Sequence, residues 1–78
     1  MKNRKPSLAI RLRLSDNLKA LRKARGYTQA ALAQRAGFTE TYIGNVEQAT
    51  VNASLASLEA LAQGLGCFEE DLLRRGAP

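Results

Sequence analysis

Apolar side chains recur with the period of a helix over most of this chain. Leu14, Leu18 and Leu21 stand at i, i+4 and i+7, lining one face of a first helix. Gly26 ends that helix behind basic residues that suit its negative dipole end, and Ser15 or Asp16 offers the capping side chain at its start. Leu32 and Ala33 share a face of a second helix, and Ile43 and Val46 a face of a third. Leu55, Leu58, Leu61, Ala62 and Leu65 form the stripe of a fourth, which Ser54 caps and Gly64-Leu65-Gly66 ends. Phe68 to Leu73 reads as a short fifth helix. Glu69, Glu70 and Asp71 fill its first turn, and Arg74 and Arg75 stand at its far end, each sign favourable to the dipole. The pattern predicts an all-α, compact five-helix domain.

One segment departs from that period. Leu8, Ile10, Leu12 and Leu14 alternate with Ala9, Arg11 and Arg13, which is the signature of a strand. A lone strand would need the same segment of a second chain as its partner; otherwise Leu12 and Leu14 already belong to the first helix. Residues 1–7 are polar, basic and interrupted by Pro6. The division is therefore a basic arm over residues 1–11, with a strand as one reading of its end, and one domain over 12–75.

The second and third helices lie unusually close. Thr28 and Thr39 can each cap a helix start, and Ala36-Gly37-Phe38 between them is a turn rather than a loop. Small Ala33 lets the two axes cross steeply. This is a helix-turn-helix, whose second helix enters the DNA major groove. Opposite Ile43 and Val46, the recognition helix over 39–48 presents Glu40, Thr41, Gly44, Asn45 and Gln48. Asn and Gln can pair with adenine, Glu can accept from cytosine N4, and a Thr methyl can meet thymine. For Glu40 the alternative is a complement to the helix dipole. Gly44 within a helix costs about 1 kcal/mol relative to Ala, and a close approach to the groove or to Arg35 would explain it.

That helix contains no Lys or Arg. Phosphate attraction is expected from Arg35, from Thr50 and Asn52 in the following loop, and from the basic N-terminal segment. Arg35 has the alternative of a bidentate contact to guanine. Gln29 and Thr39 sit in first turns, where free N–H groups favour an anion. Tyr42 faces either the core or a phosphate.

The run Leu21-Arg22-Lys23-Ala24-Arg25-Gly26-Tyr27-Thr28-Gln29, followed by Leu32-Ala33, Ala36-Gly37, Tyr42-Ile43, Val46-Glu47, Leu58, Leu61-Ala62 and Leu65-Gly66, resembles the phage-repressor/Cro-type (xenobiotic-response-element) helix-turn-helix family. The resemblance covers roughly residues 12–74. It implies a repressor-like five-helix domain in a bacterial or phage transcription regulator that binds a two-fold operator as a homodimer. It also implies a phosphate contact for Gln29 and a structural charge pair between Arg22 and Glu47. Tyr42-Ile43-Gly44-x-Val46-Glu47 with Asn52-x-Ser54-Leu55 is similar, more narrowly, to the controller proteins of restriction–modification systems. An antitoxin-type protein-interaction module on the same fold is the competing class, and RNA binding ranks behind it for want of paired surface aromatics.

Composition narrows these readings. Seventy-eight residues make one domain, and 45% apolar residues with few aromatics imply a Leu/Ala core. The net charge of +5 is uneven: nine of the twelve Lys and Arg lie in residues 1–25 against Asp16 alone, a local balance of +8, while residues 26–78 sum to −3. Such a gradient suggests one phosphate-facing side. Lys2, Arg4, Lys5, Arg11 and Arg13 lie outside the motif and should meet phosphate or nothing. No apolar run is long enough to span a membrane, and no apolar signal core is present, so a cytoplasmic location is expected. The chain has no histidine and no Gly-rich phosphate loop, and its one cysteine, Cys67, has apolar surroundings. Neither an enzyme nor a metal site is expected, and no cofactor. Leu65, Phe68, Leu72 and Leu73 are the expected dimer interface.

Overall fold

In a computed structural model, described here for residues 5–76, the chain forms α1 (Leu8–Ala24), α2 (Gln29–Ala36), α3 (Glu40–Glu47), α4 (Leu55–Leu65) and α5 (Glu69–Leu73). The cap chemistry expected for the inner helices is present. Thr28 Oγ1 accepts from Ala31 N, Thr39 Oγ1 from Tyr42 N and Ser54 Oγ from Ser57 N, at 3.0, 3.1 and 3.0 Å. Gly37 and Gly66 close α2 and α4 in the left-handed region, with φ of 79° and 69°.

Residues 8–14 are helical and not a strand. Ser7 caps α1, its Oγ accepting from Ile10 N at 3.3 Å, and Leu8–Arg11 form the first turn. Ile10, Leu14 and Leu18 continue the i, i+4 stripe inward, whereas Leu8 and Leu12 stay 57% and 46% exposed. Period-2 alternation here is two helical faces, both apolar. Residues 1–4 of the expected arm lie outside the described residues. Ser15, expected as a cap, sits mid-helix and is buried.

The core is built from Leu14 and Leu18 of α1, Leu32 and Ala33 of α2, Ile43 and Val46 of α3, Leu58, Leu61, Ala62 and Leu65 of α4, and Leu72 of α5. Leu65 and Leu72 are thus interior residues and not available to a dimer interface; of the four residues expected there, Leu73 is half-buried and Phe68 is 70% exposed. The Gly64-Leu65-Gly66 run ends α4 as expected, with Gly66 as the cap, but Gly64 has a further part. It lies buried just inside the helix, where a Cβ would come 2.9 Å from Ala36 Cβ, so it sets the close approach of α4 to α2. Asn17, 1% exposed, donates from Nδ2 to the carbonyls of Leu72 and Arg74 at 3.0 and 2.8 Å, which fastens the end of α5 to α1. The principal pairings run α1 to α3, α3 to α2, α2 to α4, α4 to α5 and α5 back to α1. Among the described residues, no helix is long and apolar enough to cross a membrane.

Candidate nucleic-acid interface

Burial of Ile43 and Val46, at 0% and 1% exposure, fixes which side of α3 faces out. Glu40, Thr41 and Gln48 are exposed on the opposite side, with Gly44 and Asn45 half-buried between them. The five positions expected to read bases therefore share one surface. Tyr42 stacks on Phe38, ring centroids 4.5 Å apart, and packs against the core edge. A Cβ on Gly44 would meet the side-chain amide of Gln29 at 3.8 Å, an ordinary contact. The neighbour of Gly44 is Gln29 and not Arg35, and nothing within the fold forbids a side chain there.

Helix α3 is held at its C-terminal end by a polar cluster. Arg22 reaches across from α1, its Nε 2.5 Å from Glu47 Oε2 and its Nη2 3.0 Å from Oε1. Its remaining nitrogen, Nη1, donates to the Tyr27 carbonyl at 2.8 Å. Gln29 Nε2 donates to Glu47 Oε1 at 3.1 Å. Burial opposes ionisation of Glu47, but the hydrogen bonds from Arg22 and Gln29, with the positive charges of Arg22 and Lys19, outweigh it. The carboxyl is held below its ordinary range. Gln29, expected at a phosphate, has one side of its amide committed to this cluster; the amide end of α2 remains the anion-favouring feature there.

Two further contacts reach the same end of α3. Ser15 Oγ donates to the Glu47 carbonyl. Arg11 Nη1 donates to the Ala49 carbonyl at 2.9 Å. The sequence assigns Arg11 no role within the fold; it meets the backbone because α1 begins a turn earlier and carries it over the α3–α4 loop. Ala49 itself adopts φ 61°, a left-handed conformation that costs a non-glycine residue about 1–2 kcal/mol. Neither Ser15 nor Ala49 carries a sequence signal for this role. Ser15 reads as a cap, and left-handed residues are usually Gly, Asn or Asp.

Of the expected phosphate ligands, Thr39 and Asn52 are exposed, and Thr50 is exposed with its Oγ1 donating to the Asn45 carbonyl at 3.0 Å. Lys5 joins Thr50 and Asn52 in lining one cleft. Arg35, expected at phosphate or guanine, is exposed and makes contacts within the fold. Its Nε donates to the Gly64 carbonyl at 2.9 Å, and its guanidinium lies 4.7 Å from the centre of the Tyr27 ring. Those contacts anchor one edge of the guanidinium at α4, while Arg35 as a residue stays exposed. Cys67 is partly buried, and burial together with the Asp71 carboxylate pushes its thiol up. Among the described residues, no group of three or more His, Cys, Asp or Glu comes together to hold a metal ion.

A family described as a helix-turn-helix domain matches residues 13–75. Over 53 residues the chain is 40% identical to the immunity repressor protein of Bacillus phage phi105, covering 68% of this chain and 37% of that one, so the chain spans little more than a third of the phage protein. Over 62 residues it is 36% identical to control protein C.SmaI of Serratia marcescens, covering 80% and 74% of the two chains. Among solved structures, the restriction-modification controller protein C.AhdI from Aeromonas hydrophila superposes with a TM-score of 0.79 at 33% identity, covering 82% of this chain and 97% of its own. The hypothetical transcription factor NHTF from Neisseria gives 0.81 at 29% identity, with 95% and 86% covered. The chain belongs to the helix-turn-helix family, with α2 and α3 as its motif.

Proposed function

We propose that this protein is a sequence-specific DNA-binding transcription regulator that reads a two-fold operator as a homodimer, with α3 in the major groove. The observation that carries this reading is the outer face of α3. Glu40, Thr41, Asn45 and Gln48 project from a helix fastened at both ends, and hydroxyl, amide and carboxylate groups are the complement of base edges. Thr39, Thr50, Asn52 and the cationic Lys5 flank that face and supply the contacts to phosphate. One such helix offers few base contacts, so a dimer spanning half-sites about 34–36 Å apart provides operator-level specificity. The likeness to C.SmaI and C.AhdI favours, within this class, a controller of restriction–modification genes.

The test is selection of binding sites from random duplex DNA, followed by comparison of variants on the selected site. Asn45→Ala and Thr41→Ala should lower discrimination between operator and random DNA, by about 1–3 kcal/mol where a bidentate pairing to a base is removed, and leave non-specific affinity nearly unchanged. Selected sites without two-fold symmetry, or an intact specificity ratio in both variants, would sink the reading.

A further inference from the structure

Three side chains of α1 reach the C-terminal end of α3. Arg11, Ser15 and Arg22 are spaced by four and seven residues, which sets them along one face of their helix. Arg22 takes the carboxylate of Glu47; Ser15 takes the carbonyl of the same residue; Arg11 takes the carbonyl of Ala49. The last carbonyls of any helix have no helical partner, and here Ser15 supplies one to Glu47, while Arg11 holds the left-handed residue two past the end of α3. Thr50 adds its N–H and hydroxyl to the Asn45 carbonyl, at 3.1 and 3.0 Å.

The three contacts do different work. Arg22 and Glu47 meet at the tips of two long side chains, so their pair joins α1 to α3 while leaving the backbone of α3 some freedom to turn. Ser15 and Arg11 grip the backbone itself. Asn45 and Gln48 lie in this same half of the helix, so a rotation of its last turn displaces both. The geometry points to Arg11 and Ser15 as positioning residues for base reading, fixing the pitch at which Asn45 and Gln48 enter the groove. This rests on α3 being the recognition helix.

A second role for Arg11, as a phosphate ligand, makes opposite predictions. Removing a phosphate ligand weakens binding to every sequence alike and reduces the slope of log K against log[salt] by about 0.9. Removing a positioning residue lowers affinity for the operator alone. The experiment first selects an operator with the wild-type protein; absence of any preferred site at that stage would defeat the reading of α3 and not this inference. Ser15→Ala, Arg11→Met and Arg11→Lys are then titrated on operator and random duplex across a salt series, with melting curves for each.

Ser15→Ala and Arg11→Met should lose operator affinity about tenfold, as for a weakened base contact, with random-duplex affinity and salt slope held. Arg11→Lys, which keeps a cationic donor for the Ala49 carbonyl, should recover most of that loss. Arg11→Met with Ala49→Gly separates positioning from stability, because glycine relieves the left-handed backbone without restoring the grip. The double variant should melt near wild type and still discriminate poorly. Recovery of discrimination along with stability, a parallel loss on both DNAs with a shallower slope, or full discrimination in the folded single variants would each overturn the inference.

Discussion

The carboxylate of Glu47 accepts from Arg22 on α1 and from Gln29 on α2, so one side chain at the end of α3 ties together the helices of the proposed interface. With side-chain exposures of 12% and 5% for Arg22 and Glu47, removing either partner leaves a charge in a poorly solvated place. Arg22→Ala should cost about 3–5 kcal/mol of stability, much of what a small domain has. Arg22→Ala combined with Glu47→Ala should regain part of that, as urea denaturation of the single and double variants would show. The pH dependence has a definite sign. Folding lowers the Glu47 pKa, so its contribution is complete above the ordinary glutamate value and is lost as pH falls through the lower, folded value. Melting temperatures taken down an acid series should fall in that window, and less steeply for Glu47→Gln; equal slopes would show that other carboxylates carry the acid sensitivity. The pair is legible through the family resemblance. Ser15 and Asn17 are not, because a pattern of apolar positions counts every Ser and Asn as surface, and only tertiary structure reveals which of them answer buried carbonyls.

Helix ends written in local chemistry are readable from sequence, and close approaches between helices are not. Thr28, Thr39 and Ser54 each cap through an oxygen three residues from its donor, so sequence spacing alone exposes them. Gly64 depends on what lies across from it. Read beside Gly66 it suggests a helix end, whereas its missing side chain is what admits Ala36, whose backbone would lie 3.2 Å from an added Cβ. Alanine at position 64 gains about 1 kcal/mol of helix propensity. Overpacking against a rigid backbone costs about 1–3 kcal/mol, and the two numbers favour a net loss. Gly64→Ala should therefore lower the denaturation midpoint, in contrast to an exposed helical glycine, where the same change stabilises; an increase would mean that α4 shifts freely over α2. The early start of α1 follows the same rule. Four alternating apolar residues fit a strand until packing buries Leu14, half-buries Ile10 and leaves Leu8 and Leu12 outside.

For the molecule as a whole, positive charge gathers toward the N-terminal segment, and Lys5 lies beside the loop that follows α3. Deleting residues 1–6 removes Lys2, Arg4 and Lys5 and spares the Ser7 cap. Binding to operator and random DNA should weaken together, and the salt slope should become shallower by about 0.9 for each phosphate no longer neutralised. An unchanged slope would make these residues a solvated tail, and a loss of selectivity would make them readers of the minor groove. The five helices meanwhile close a circuit of packing in which α1 and α5, first and last in sequence, are neighbours. Ala9 and Gly76 line the same cleft. The order in which the helices are synthesised is thus separable from the order in which they touch. A circular permutant, linked from Gly76 to Ser7 and reopened at an exposed turn, would preserve all five pairings while presenting new termini to whatever is fused to them.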